Sequence, residues 1–146
     1  MREVTIGEAA RESGVKVTTI RFYEERGLLS APARSEGGQR LYGAKDVARL
    51  RFIRHARDLG FDMAALADLL ELAGHPEAPC AHADRLAEAR LQDVRRRIAA
   101  LQALEVELER MLAGCRSGTV ESCAVMESLA DHAQCIGPHD RTALNG

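Results

Sequence analysis

The sequence predicts a mainly α-helical protein in three parts. These are an N-terminal winged helix-turn-helix, a long helix that pairs antiparallel with a second copy as a coiled coil, and a C-terminal loop with a short helix. Three observations predict it. Residues 5–27 hold two short helical stretches joined at Ser13-Gly14, and a hairpin-like stretch follows. Residues 81–114 contain no proline, and no glycine before Gly114, and are rich in Ala, Leu, Arg and Glu, the strongest helix formers. Aromatic residues make up only 3% of a chain that is 46% hydrophobic, which indicates an aliphatic core of the helical kind.

Each element follows from its local chemistry. Thr5-Ile6-Gly7-Glu8 is a capping box, and the helix it opens runs from Gly7 to about Glu12 before Ser13-Gly14 stops it. Val17-Thr18-Thr19 opens a second helix that reaches about Arg26 and is closed by Gly27. Pro32 and Gly37-Gly38 then break the helical pattern, and Gln39-Arg40-Leu41-Tyr42 alternates as a short strand. Residues 28–43 therefore predict a β-hairpin, or wing. From Ala44 to Leu59 an apolar face runs through Val47, Leu50, Ile53, Ala56 and Leu59, and Gly60 ends it. Met63 to Ala73 is a further helix with Leu66, Leu69 and Leu70 inward, ended by Gly74 and Pro76. His75 to Pro79, with two prolines, is the predicted hinge.

The long helix carries Leu91, Val94, Ile98, Leu101, Leu104, Leu108, Met111 and Cys115. Their steps of three and four mostly alternate, with one irregular step at 101–104, which is a coiled-coil seam. A solitary helix with such a stripe needs a partner to bury it. A Cys-bounded loop follows over 115–123, then a short helix from about Ala124 to His132 and a polar tail. The predicted parts are a head at 3–74, a dimerisation helix at 80–114 and a C-terminal segment at 115–146.

At 146 residues the chain suits one small domain with an appendage, or two very small ones. Its net charge of −2 divides unevenly, +4 over residues 1–60 and −6 over residues 61–146. A basic front half fits a phosphate-binding surface. No apolar run is long enough to span a bilayer and the start lacks the apolar core of a signal peptide, so no membrane partner and a cytoplasmic location are expected. Cysteines there bind metal or react more often than they form disulfides. No Ser/His/Asp set, phosphate loop or paired carboxylates stand out, so an enzyme is not expected.

Cys80 and Cys115 bracket the long helix. At about 1.5 Å per residue they lie roughly 50 Å apart, too far to share a metal or a disulfide within one chain. In an antiparallel pair of helices, Cys80 of one chain lies beside Cys115 of the other. The spacing thus points to a homodimer with a composite thiol site at each end of its seam.

A helix-turn-helix sets its second helix in the major groove, where exposed residues near its start reach base edges. Here these are Thr18, Thr19 and Arg21, with Tyr23 able to reach sugar or phosphate. Arg34 and Arg40 flank the hairpin tip, and Arg54 and Arg57 lie on the next helix, placed for phosphate contacts. The alternative is a solvated arginine surface on a helical domain. The segments VTIGEAARESGVKVTTIRFYEERGLL and ARSEGGQRLYGAKDVARLRFIRHARDLGF resemble the DNA-binding domain of the MerR family of bacterial regulators over residues 3 to about 72. By that resemblance Arg21, Tyr23, Arg34, Arg40 and Arg54 match DNA contacts, and Tyr42 of the RLY segment joins them.

The resemblance also implies dimerisation through an antiparallel coiled coil. Cys80 before the long helix, with Cys115 and Cys123 bounding the loop after it, is similar to the metal-sensing branch. On that reading the three thiolates bind a divalent thiophilic ion across the dimer, with Cys80 from one chain and Cys115 and Cys123 from the other. Thiolates select zinc, cadmium, lead and mercury. Cys135 is a metal ligand, a second-site ligand or a tail thiol. His132 and His139 flank it as auxiliary ligands or solvated tail residues.

The three-cysteine layout resembles mercury sensors, but Ala124 follows Cys123 where those usually have proline. ESCAVMESLADHAQC resembles the cadmium-, lead- and zinc-responsive branch more closely. The implied function is activation of a metal-resistance or efflux promoter, with double-stranded promoter DNA and RNA polymerase as partners. The alternatives are a mercury-responsive member and a redox sensor that pairs Cys115 with Cys123.

Overall fold

Thr5 begins the first helix as its local chemistry requires. Its side-chain oxygen accepts from the Glu8 N–H at 3.3 Å, and the Glu8 carboxylate accepts from the Thr5 N–H at 2.9 Å. That backbone bond, with the Thr5 hydroxyl, holds the Glu8 carboxyl below its usual pKa. The computed structural model describes residues 2–30, 32–114 and 118–131. The element order is α1 (Ile6–Ser13), α2 (Val17–Glu25), β1 (Ala33–Arg34), β2 (Arg40–Leu41), α3 (Ala44–Asp58), α4 (Met63–Ala73), α5 (Ala81–Ala113), a 3-10 turn (Val120–Ser122) and α6 (Ala124–Ala130). Helices thus dominate, and the long helix forms as the sequence predicts.

Contacts divide the chain into two units, Met1–Leu86 and Ala87–Gly146. The division falls inside α5 rather than at the predicted His75–Pro79 hinge. That hinge is a hydrogen-bonded turn, with the Ala78 N–H donating to the His75 carbonyl at 2.9 Å. The first residues of α5 are also tied to the head, because His82 Nε2 lies 3.1 Å from Asp68 Oδ2 on α4.

In the first unit, α1 and α2 join at Gly14 (φ 75), and β1 pairs antiparallel with β2 in the register Ala33↔Leu41 and Arg34↔Arg40. The wing gains a bridge that the sequence did not announce. Val4 and Tyr42 exchange both backbone hydrogen bonds at 2.8 Å, which ties the chain start to the hairpin. The core under these elements includes Ala9, Ile20, Leu29, Tyr42, Val47, Leu50, Ile53, Leu66 and Leu70. Leu50, Ile53 and Leu66 are fully buried, and burial of each such side chain stabilises by about 1.5–3 kcal/mol.

Leu59, predicted on the inward face, is instead 55% exposed. It is the cap residue after the last turn of α3, and the chain then turns so that Phe61 packs against the core in its place. In the second unit the sequence places Met111 on the seam, yet it is buried within the single chain. There α6 returns to the end of α5, and Arg110 donates to the Ser128 hydroxyl at 3.0 Å.

Candidate nucleic-acid interface and metal centre

The recognition-helix candidate α2 is amphipathic by residue choice. Ile20 and Tyr23 turn inward, while Thr18, Arg21 and Phe22 are exposed and Thr19 is half-buried. Arg26 stacks over the Phe22 ring at 5.0 Å. Thr18 and Arg21 are therefore presented to solvent at helical spacing, one turn apart. Tyr23 is only 7% exposed, so the helix uses most of that side chain for packing.

The wing is built around two arginines with different neighbours. Arg34 is exposed, and its guanidinium donates to the Gly38 carbonyl at 2.8 Å across the hairpin turn. Arg40 is half-buried, with its Nε 3.7 Å from a Glu24 carboxylate oxygen on α2. The same carboxylate accepts a hydrogen bond from the Tyr42 hydroxyl. Tyr42 itself is 2% exposed. Burial first, then the Glu24 carboxylate, pushes its phenol well above the ordinary range. Tyr42 is thus placed to lock the wing onto α2, not to reach outward.

Sequence reasoning missed Glu24, the residue that joins the wing to α2. It sits beside a second glutamate, Glu25, and 18 positions before the tyrosine it meets, so no local pattern marks it. It also missed how α3 holds the helix-turn-helix. Arg49 Nε donates to the Leu28 carbonyl at 2.6 Å, Arg51 Nε to the Glu12 carbonyl at 3.1 Å, and Arg54 Nη1 to the Gly14 carbonyl at 3.1 Å. These guanidinium groups satisfy carbonyls in the last turn of α1, at its cap and in the bend that follows α2. Arg54 also pairs with Asp58 at 3.7 Å and remains exposed. Arg57 donates to the Phe61 carbonyl at 2.7 Å.

The described thiols lie at the two ends of α5. Cys80 immediately precedes the helix and is exposed. Its Sγ is 3.8 Å from Asp84 Oδ2, at the rim of an apolar groove of about 300 Å³ lined by Phe52, Leu69, Leu72, Pro76 and Pro79. Cys123 is half-buried at the N-cap of α6, and its carbonyl accepts from the Glu127 N–H at 3.0 Å. Cys115, Cys135, His132 and His139 lie outside the described residues. Among the described residues of one chain, no three His, Cys, Asp or Glu side chains gather to hold an ion. Each thiol is a soft sulfur donor of the type that selects thiophilic ions. Among the described residues no helix is long and apolar enough to cross a membrane.

Comparison with known proteins bears on both halves. Residues 4–73 match the family model described as MerR HTH family regulatory protein, and residues 47–111 match the one described as MerR, DNA binding. The chain is 40% identical to the HTH-type transcriptional regulator ZntR of Escherichia coli K12, over 88% of its own length and 93% of that protein's. It is also 40% identical to the mercuric resistance operon regulatory protein of Pseudomonas fluorescens, over 94% of each chain. The crystal structure of the transcription regulator PbrR691 from Ralstonia metallidurans CH34, in complex with lead(II), aligns with a TM-score of 0.74 at 39% identity. That alignment covers 88% of this chain and 98% of the other.

Proposed function

Because the chain belongs to the MerR family of helix-turn-helix transcriptional regulators, we propose that it is a homodimeric, metal-responsive activator of a metal-resistance or efflux promoter. It is a regulator and not an enzyme. The observation that carries the reading is the extent of the likeness. Identity of about 40% to relatives that include a mercuric-resistance regulator runs through 88% or more of the chain, past the head and into the thiol-bearing end.

In this reading Thr18, Thr19 and Arg21 of α2 face base edges and Arg34 and Arg54 face phosphates, with Tyr23 alongside them. Arg40 and Tyr42 serve the same surface through Glu24, by fixing the wing against α2. The exposed stripe of α5 pairs with a second copy, so two heads engage a near-palindromic promoter site. Cys80 of one protomer, with Cys115 and Cys123 of the other, holds a divalent thiophilic ion. Cys135, His132 and His139 are candidate auxiliary ligands. Deforming DNA costs a few kcal/mol, offset by helix and wing contacts to phosphate. Turning such a two-state device decisively takes about 5 kcal/mol of preference for one state, within reach of thiolate ligation.

Cadmium, lead or zinc is the proposed effector class, because the segment after Cys123 lacks the proline of mercury sensors. Mercury is the second reading, favoured by the 40% identity to the mercuric-resistance regulator. A promoter reporter challenged with zinc, cadmium, lead, mercury and copper decides between them. Cys80→Ser, Cys115→Ser and Cys123→Ser should each abolish induction while operator affinity stays at the wild-type value. Retained induction in any one of them removes that residue from the site. A response to oxidants alone, with no cation bound under reducing conditions, overturns the metal reading in favour of a thiol redox sensor.

A further inference from the structure

The helix α6 is bonded to the end of α5 through polar side chains. It has only seven residues, too few to persist alone. Its larger apolar side chains, Met126 and Leu129, are 48% and 71% exposed, whereas Ser128 is 3% exposed. The Ser128 hydroxyl accepts from Arg110 Nη2 at 3.0 Å. The same nitrogen donates to the Glu107 carboxylate at 3.1 Å, and Arg110 Nε donates to it at 3.2 Å. Glu107 is 2% exposed, so the charge is taken from water and depends on such bonds. A second contact lies one helical turn further along. A Cβ added at Gly114 would stand 2.9 Å from the Ala124 Cβ, closer than real Cβ atoms come. Gly114 is the last residue before Cys115, and Ala124 is the first after Cys123.

We infer that Arg110 is a positioning residue for Cys123. By bonding Glu107 on α5 and Ser128 on α6 at once, it fixes α6 and with it Cys123 at that helix's N-cap. The missing side chain at Gly114 lets the two ends of the loop meet. This rests on the reading of Cys123 as a ligand. Arginine is the residue that does this, because its planar fork serves two acceptors in fixed directions, whereas a lysine ammonium is a single point donor. Setting the ligand backbone before the ion arrives removes an ordering cost from binding. Residues bonded directly to a metal ligand are typically worth about 10- to 100-fold in metal affinity, and a support that acts through α6 is expected to fall within the same span.

The test uses the full-length protein under reducing conditions, with cadmium(II) alone as the probe. Ser128→Ala deletes one hydroxyl. Arg110→Lys keeps a cation beside Glu107 but loses the fork. Gly114→Ala attacks the second contact independently. In the metal-free protein, amide exchange over residues 124–130 should speed up in Ser128→Ala and Arg110→Lys, while operator affinity stays unchanged. In chelator competition, cadmium affinity should fall about 10- to 100-fold in all three variants, with a weaker thiolate-to-metal absorbance per bound ion. Wild-type exchange rates in both Ser128→Ala and Arg110→Lys overturn the inference, as do wild-type cadmium affinity and absorbance. A wild-type protein that binds no cadmium or other thiophilic ion sinks the metal reading instead, and exchange alone then decides whether Arg110 fixes α6.

Discussion

Tyr42 shows how a residue that reads as a surface contact can be a structural one. Its ring is buried in the core and its hydroxyl donates to Glu24, so only the neutral phenol suits the site. Burial is the larger cause of its raised pKa and the Glu24 bond the next. A tyrosine pKa raised by folding contributes stability that is fully present below the unfolded value of about 10 and is lost as pH climbs past it. Tyr42→Phe is therefore expected to cost about 1–2 kcal/mol at neutral pH and to flatten the loss of stability above pH 10, read by urea unfolding across pH. In a Tyr23→Phe background, where Tyr42 is the remaining tyrosine, tyrosinate absorbance should appear only beyond the ordinary range. An ordinary tyrosine titration in that variant would contradict the burial.

At the scale of elements, the turn of the helix-turn-helix depends on Gly14 for two separate reasons. Its φ of 75° lies in the left-handed region, which costs a residue with a Cβ about 1–2 kcal/mol. A Cβ there would also stand 1.6 Å from Arg54 Nη1, which lies across the turn and donates to the Gly14 carbonyl. Gly38 in the wing has a similar φ of 80° but nothing within 4 Å of an added Cβ. Gly14→Ala should lower the melting temperature more than Gly38→Ala, and it should also weaken operator binding because Arg54 is pushed aside. Thermal melts and operator titrations of the two variants check this. Equal losses would mean that Arg54 moves away at no cost.

At the scale of the whole molecule, the single chain leaves its longest helix incomplete. Leu91, Ile98, Leu101 and Leu108 are between 41% and 54% exposed at steps that keep them along one side of α5. Such a stripe is stable in water only when a partner covers it, and a second copy supplies a matching one. Ile98→Ala should then weaken dimerisation by about 2–5 kcal/mol per truncated side chain. Sedimentation equilibrium would show monomer at concentrations where the wild type is dimeric, and operator affinity would fall with it. A variant that stays fully dimeric would place the interface elsewhere.

Local signals determined most of what the chain is. Capping at Thr5, the glycine stops, the apolar periodicity of α3 and α4 and the unbroken run of α5 are short-range features, and each α-helix formed within a residue or two of its predicted ends. The head's kinship with MerR regulators was legible for the same reason, since its motifs are contiguous. What tertiary structure alone decided lies in pairs distant along the chain. Glu24 meets Tyr42 and Arg40, α3 arginines meet carbonyls of the preceding turns, Val4 bridges Tyr42, and Arg110 reaches Ser128. No periodicity encodes such meetings, because they arise from how separately formed elements stack. The cysteines stand between the two cases. Their spacing is written in the sequence, whereas their convergence, in the function proposed here, needs a second chain.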